Sequence, residues 1–259
     1  EPVPNPIQIA TFLLAKEAKK DVAVVLGGDG GDEIFGGYPR YYYSRLIDYY
    51  QILPLFLREI VPHNIFELFS KRKNLKEKLN TPPGVARYLL HMGQKKEILS
   101  KVLRIKPAEN LTEDFLRANY PENKFRDHSK YLMYLDLMTW LTDESLLRTD
   151  KMTMAFGLEE RVPILDHRLV EYAFTIPTKY KIKGNQSWKR IFREAMQEYL
   201  PPHVQKQQKT GWFSPAAKWL RAGLKDLAYD VLSPNYCQDT NEYFDFQEAR
   251  NILDKHISG

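Results

Sequence analysis

The chain has 259 residues, of which 43% are hydrophobic and 27% charged, enough to bury one large core and to exclude a disordered chain. Its single cysteine, Cys237, excludes an internal disulfide and a cysteine-built metal site, so redox chemistry is set aside. The formal charge of +5 is scattered, apart from Lys71-Arg72-Lys73 and Lys95-Lys96, and without a clustered basic stripe no nucleic-acid partner is expected.

Glu1-Pro2-Val3-Pro4 lacks the basic region and apolar stretch of a signal peptide, and no run of about 18 apolar residues follows. A cytoplasmic protein without a membrane partner is therefore expected. Ile9, Phe12, Leu13 and Ala15 recur at helical spacing, with Asn5 as N-cap and Pro6 at the first helical position, which predicts a helix over 6–20. Val22-Ala23-Val24-Val25-Leu26 is a short continuous apolar run rich in β-branched residues, the pattern of a parallel strand buried on both faces. It is the one strand the sequence predicts. Between Tyr41 and Leu103, apolar helical pieces alternate with prolines and lysine-rich joints, which predicts several short helices. Long buried helices are expected over 128–155, and further helices over 168–175, 188–199, 215–231 and 246–256. Asp166, after Val162-Pro163-Ile164-Leu165, suits a cap for the helix beginning near Arg168 better than a ligand role.

Six of the 13 glycines fall in the segment Gly27-Gly28-Asp29-Gly30-Gly31-Asp32-Glu33-Ile34-Phe35-Gly36-Gly37-Tyr38, directly after the predicted strand. Glycines at such a density mark a backbone that a ligand approaches closely, and in open α/β sheets ligands bind beyond the carboxyl ends of the strands. Amide-rich turns of this kind hold phosphates, but three acids in the turn require a bridging divalent cation, for which Mg²⁺ is expected. The plainer reading is a polar loop that closes a strand, with glycines for turning and acids for solubility.

This loop resembles the Ser-Gly-Glu/Asp-Gly-x-Asp-Glu-x-Phe-Gly-Gly-Tyr signature of the asparagine synthetase family. The stretch from Leu141 to Asp166, which contains Asp143-Glu144-Ser145-Leu146-Leu147-Arg148-Thr149-Asp150-Lys151-Met152 and Leu158-Glu159-Glu160-Arg161-Val162-Pro163, is similar to that family's most distinctive block. Trp188-Lys189-Arg190-Ile191-Phe192-Arg193-Glu194 resembles its lysine-bearing helix. Lys209-Thr210-Gly211-Trp212-Phe213-Ser214-Pro215 through Trp219-Leu220-Arg221 resembles its closing motif.

The resemblance implies an α/β fold with the sheet of the ATP pyrophosphatases, of the adenine nucleotide alpha hydrolase kind, represented here by a helical majority and the strand near 22–26. It implies a ligase that uses ATP and Mg²⁺ to join aspartate to ammonia through a β-aspartyl-AMP intermediate. By position, Lys189 and Asp29 would be catalytic, and Gly27, Gly28, Asp29, Gly30 and Asp32 would hold ATP and pyrophosphate, with Asp32 on the metal. Glu33, Arg148, Asp150, Lys151, Glu159 and Arg161 are candidates for substrate contact. For the charged block the residues alone leave two alternatives open, direct substrate contacts or a structural network of buried ion pairs.

No Ser-Gly-Gly-x-Asp-Ser pyrophosphate loop occurs in these residues, and neither does the glutaminase domain that releases ammonia from glutamine in this family. Residues 1–259 are therefore expected to be the C-terminal part of a synthetase domain, inactive alone, whose missing N-terminal domain lies in cis or in a partner chain. A homodimer is the assembly expected. Gly27 stands where serine is usual, and Asp29 has an arm one methylene shorter than glutamate. These departures leave open an amidating or cyclising enzyme that acts on a sugar, peptide or secondary metabolite, and, in another class, a non-catalytic helical interaction domain.

Overall fold

The predicted first helix forms over Gln8–Ala18 (α1), but Ile7 rather than Asn5 is its N-cap, and Asn5 Oδ1 accepts the Ile7 amide at 3.1 Å in the turn before it. The computed structural model describes residues 4–60, 75–92, 96–105, 110–184, 188–205, 211 and 214–259. They divide into two units, Glu1–His91 with Phe115–Thr210, and Met92–Asp114 with Gly211–Gly259. Lys71-Arg72-Lys73, and Lys209-Thr210 and Trp212-Phe213 of the closing motif, lie outside the described residues.

In the first unit α1 leads to β1 (Val24–Leu26), α2 (Gly31–Phe35) and α3 (Pro39–Ile52). Short helices at Leu55–Ile60, Leu75–Asn80 and Val85–Met92 follow, as the proline-punctuated pattern predicts. Helix α4 (His128–Met138) ends at Thr139, where the backbone leaves helical geometry (φ −127°, ψ −74°), and a π-helical turn at Leu141–Leu146 then runs directly into α5 (Leu147–Met154). Then come β2 (Glu159–Arg161), α6 (His167–Thr175), α7 (Thr178–Lys181) and α8 (Arg190–Ala195). Asp166 caps α6 as foreseen, its Oδ1 accepting the Arg168 amide at 2.9 Å.

The two strands run parallel, with Val24 opposite Glu159 and Leu26 opposite Arg161, so the described fold is mostly helical with a small parallel sheet. Two expectations change here. The strand near 22–26 is not buried on both faces, since Val24 is 42% and Leu26 74% exposed. A β-branched run reports that both faces are apolar, but burial also needs elements to cover them, and among the described residues β2 is the one strand beside β1. Strand β2 itself was not predicted, because Glu-Glu-Arg carries no apolar alternation.

Between α3 and α4, Tyr41, Tyr131, Leu132, Met133 and Leu135 are buried, while Ile47 and Tyr50 of α3 pack with Leu79 of the helix at Leu75–Asn80. A fully buried arginine, Arg87, ties the neighbouring helices. It donates to Ser44 O at 3.1 Å, Gln51 Oε1 at 2.9 Å and Thr81 O at 3.2 Å, and pairs with Asp48. A second cluster gathers Ile34 and Phe35 of α2 with Ala173 of α6, packed by Leu137, Val170, Ile191 and Phe192.

The second unit holds helices at Lys96–Val102, Ala216–Arg221, Lys225–Val231 and Phe246–Ser258. An antiparallel bridge joins Leu103 to Phe244, and Arg221 Nε donates to His256 O at 2.9 Å. The single helix predicted over 215–231 is broken at Ala222, where the backbone leaves helical geometry (φ −132°, ψ −103°) beside Gly223, a residue that disfavours helix continuation. No described helix is long and apolar enough to cross a membrane.

Candidate active site

The acidic loop leaves β1 and turns at once into α2, a helix of five residues. Its apolar residues Ile34 and Phe35 are buried, which aims Asp32 and the loop before it away from the core. Phe35 stacks on Phe192 of α8 with ring centroids 4.7 Å apart. Asp32 precedes Phe35 by three residues, and Lys189 precedes Phe192 by three. The charges meet beside the stacked rings, with Lys189 Nζ 3.2 Å from Asp32 Oδ1. Both side chains keep roughly a quarter of their surface open, at 29% and 26%. Lys189 has φ +53°, in the left-handed region that costs a non-glycine residue about 1 kcal/mol or more. The helix predicted from Trp188 thus begins at Arg190, after this turn.

The Asp29 carboxylate accepts the Ser145 hydroxyl at 2.9 Å. Ser145 in turn accepts from Arg148 Nη2 at 3.2 Å, and Arg148 Nε donates to Glu144 Oε1 at 2.9 Å. Asn5 Nδ2 also reaches that oxygen, at 2.8 Å. Arg148 is almost wholly buried, so this ion pair is shielded from solvent. A third carboxylate, Glu160, reaches the loop from β2: a Cβ added at Gly27 would lie 1.8 Å from Glu160 Oε1. Partial burial, and then the charge of Asp29, push the Glu160 carboxyl above the ordinary range, against the pull of Arg148.

Residues 1–259 match the family model described as Asparagine synthase. The chain belongs to the asparagine synthase family. It is 30% identical over 261 aligned residues to the glutamine-hydrolyzing asparagine synthetase 1 of Bacillus subtilis (strain 168), an alignment that covers all of this chain and 40% of that protein. It is 31% identical over 279 residues to a putative glutamine-hydrolyzing asparagine synthetase of Mycobacterium bovis, with the same coverage. Amidase chry2 of Gibberella zeae is 22% identical over 279 residues, covering 98% of this chain and 41% of the amidase. The chain thus spans about 40% of the length of these relatives.

Within this chain, the predicted residues sort into three places. Asp32 and Lys189 meet at the loop, beside Gly27, Gly28, Asp29 and Gly30. Arg148 lies beneath it and touches Asp29 through Ser145. Glu33, next to Asp32, points the other way: it is 2% exposed and accepts the Tyr38 hydroxyl at 2.7 Å. Burial raises its carboxyl to about 7 despite that bond. Below it, Arg40 stacks over Tyr38 at 4.0 Å and donates to the buried Asp136 at 2.8 Å. Asp150 and Lys151 are on α5, Asp150 exposed, while Glu159 and Arg161 pair with each other at 2.8 Å on the open face of β2.

Sequence reasoning missed Glu160 and Ser145. Alternation gives Glu160 only once β2 is known to be a strand, since residues 159 and 161 then share one face and residue 160 takes the other. For Ser145 the sequence carries no such signal, because its direction depends on the π-helical turn at Leu141–Leu146.

Proposed function

We propose that this chain is the adenylate-forming portion of a ligase that makes asparagine from aspartate, ATP and ammonia. The observation that carries this reading is the Lys189–Asp32 pair at 3.2 Å, held at the mouth of a glycine-rich acidic loop that follows a parallel strand. The aspartate side-chain carboxylate attacks the α-phosphorus of ATP, pyrophosphate leaves, and the acyl-adenylate forms. Ammonia then adds to the acyl carbon, AMP departs with the C–O bonding electrons, and the nitrogen sheds its surplus proton. The Lys189 ammonium is a fixed point charge suited to stabilising the phosphate oxygens as negative charge builds during adenylation. Asp32 holds that ammonium in place before nucleotide binds and presents a carboxylate oxygen to a cation.

The residues present fit Mg²⁺. Among the described residues no three acidic, histidine or cysteine side chains converge as a cage, but Mg²⁺ bound with nucleotide phosphates needs one or two carboxylates, which Asp32 supplies. When bound, the ion would neutralise phosphate charge. Asp29 faces the acyl group and the incoming ammonia, and backbone amides at Gly28 and Gly30 line the phosphates, while Gly27, whose amide donates to Arg161 O at 2.8 Å, lets the nucleotide approach the end of the strand closely. The two synthetases named above are glutamine-hydrolyzing and longer, so the pyrophosphate loop and the ammonia source of this protein are proposed to lie in sequence beyond this chain.

In the complete protein, Lys189→Ala is expected to slow aspartate-dependent exchange of pyrophosphate into ATP by about 10²- to 10³-fold, the loss on deleting one preorganised charge-stabilising group. Exchange at the unmodified rate would overturn the assignment. The likeness to an amidase favours, as a second reading, amide formation on another carboxylic acid at the same site. Product analysis with aspartate as the sole acid separates the two.

A further inference from the structure

We infer that Ser145 is a positioning residue for Asp29, and that the π-helical turn at Leu141–Leu146 exists to aim it. The inference rests on the functional reading above and deepens it at one residue. A hydroxyl has one proton to give. Because Ser145 Oγ accepts from Arg148 Nη2 at 3.2 Å, its own hydrogen is directed to Asp29 Oδ1, 2.9 Å away. Arg148 cannot swing off, since Glu144 Oε1 holds its Nε at 2.9 Å and Thr11 Oγ1 lies 3.4 Å from its Nη1. Glu144 is itself fixed by Asn5 from the start of the chain. The relay therefore runs Asn5, Glu144, Arg148, Ser145, Asp29, and its last two side chains before the carboxylate, Arg148 and Ser145, are each 8% exposed.

The π turn follows the break at Thr139 and runs directly into α5, and its wider winding changes which side chains of this segment share a face. Ser145 and Arg148, three residues apart, then share the face directed at the loop. Asp29 has a short arm with one rotatable bond before its carboxyl, so a single donor at one oxygen selects its rotamer. In the amide-forming step this keeps the carboxylate where ammonia arrives.

The test compares two half-reactions in the full-length protein, with aspartate as the acid: pyrophosphate exchange for adenylation, and amide formation from added ammonium. Ser145→Ala is expected to slow amide formation by about 10- to 100-fold more than it slows exchange, the loss on removing one hydrogen bond to a charged group. Ser145→Thr, which keeps the hydroxyl, is expected to restore most of the rate, and thermal unfolding of both variants checks that the fold is intact. Equal losses in both half-reactions that threonine does not repair, or no loss at all, would overturn the positioning role while leaving the functional reading standing. A wild-type protein that performs neither half-reaction with aspartate would overturn the reading itself, and the inference with it.

Discussion

Replacing Lys181 with methionine should flatten the alkaline limb of the stability profile. Lys181 ends α7 with its side chain fully buried, Nζ donating to Ile34 O at 2.8 Å and lying 5.2 Å from the Phe174 ring centroid. Burial, helped by the charge of Lys130 and opposed by Asp127, lowers its pKa from 10.5 to about 7. In the unfolded chain the amine keeps its proton up to the ordinary lysine range; in the folded chain it releases it near neutrality. Between those values the unfolded state binds more protons, so stability rises with pH, by about 1.4 kcal/mol per unit. From pH 7 to 9.5 this amounts to about 3 kcal/mol. Methionine matches the stem of lysine and does not titrate, so the stability of wild type minus that of Lys181→Met should grow by about 3 kcal/mol over the interval. The other ionisable groups are common to both proteins and cancel in the difference. Urea unfolding followed by tryptophan fluorescence at the two pH values measures it. Parallel profiles for the two proteins would refute the reasoning, because they would mean that Lys181 titrates alike in the folded and unfolded states.

Other expectations are simpler to state. Arg87→Ala deletes a fully buried guanidinium bonded to Ser44, Gln51 and Thr81 and removes the arginine partner of Asp48, which keeps His128 Nδ1 at 3.3 Å, and should cost about 3 kcal/mol in urea unfolding. Gly37→Ala should impair both catalysis and stability, because an added Cβ would fall 1.6 Å from Asp32 Oδ1, pushing that carboxylate off Lys189, and 2.9 Å from Asp32 Cα, which forces the backbone to shift; slower pyrophosphate exchange together with a lowered melting temperature is the expected result. Asp166→Ala should lower the thermal midpoint slightly through loss of the cap on α6, measured by thermal unfolding.

Much of this molecule was legible before folding because it is local. The cap at Asp166, the proline-punctuated short helices and the glycine-rich loop after an apolar run depend on residues a few positions apart, and short-range backbone chemistry fixes them. The resemblance of the loop and of the block around Arg148 to a ligase family is likewise written in residue order. What the tertiary structure alone decided depends on contacts between distant residues. Phe35 and Phe192 stack across 157 positions, and from that stacking Asp32 meets Lys189. Strand β2 exists because β1 offers a parallel edge to three charged residues with no strand pattern of their own, and its register turns Glu160, rather than Glu159 or Arg161, toward Asp29. Ser145 faces Asp29 through a π turn that neither periodicity nor composition announces. The sequence determines which side chains are available at each position, but their directions follow from the packing of α2 against α4, α6 and α8, a balance of many weak contacts that no local pattern encodes.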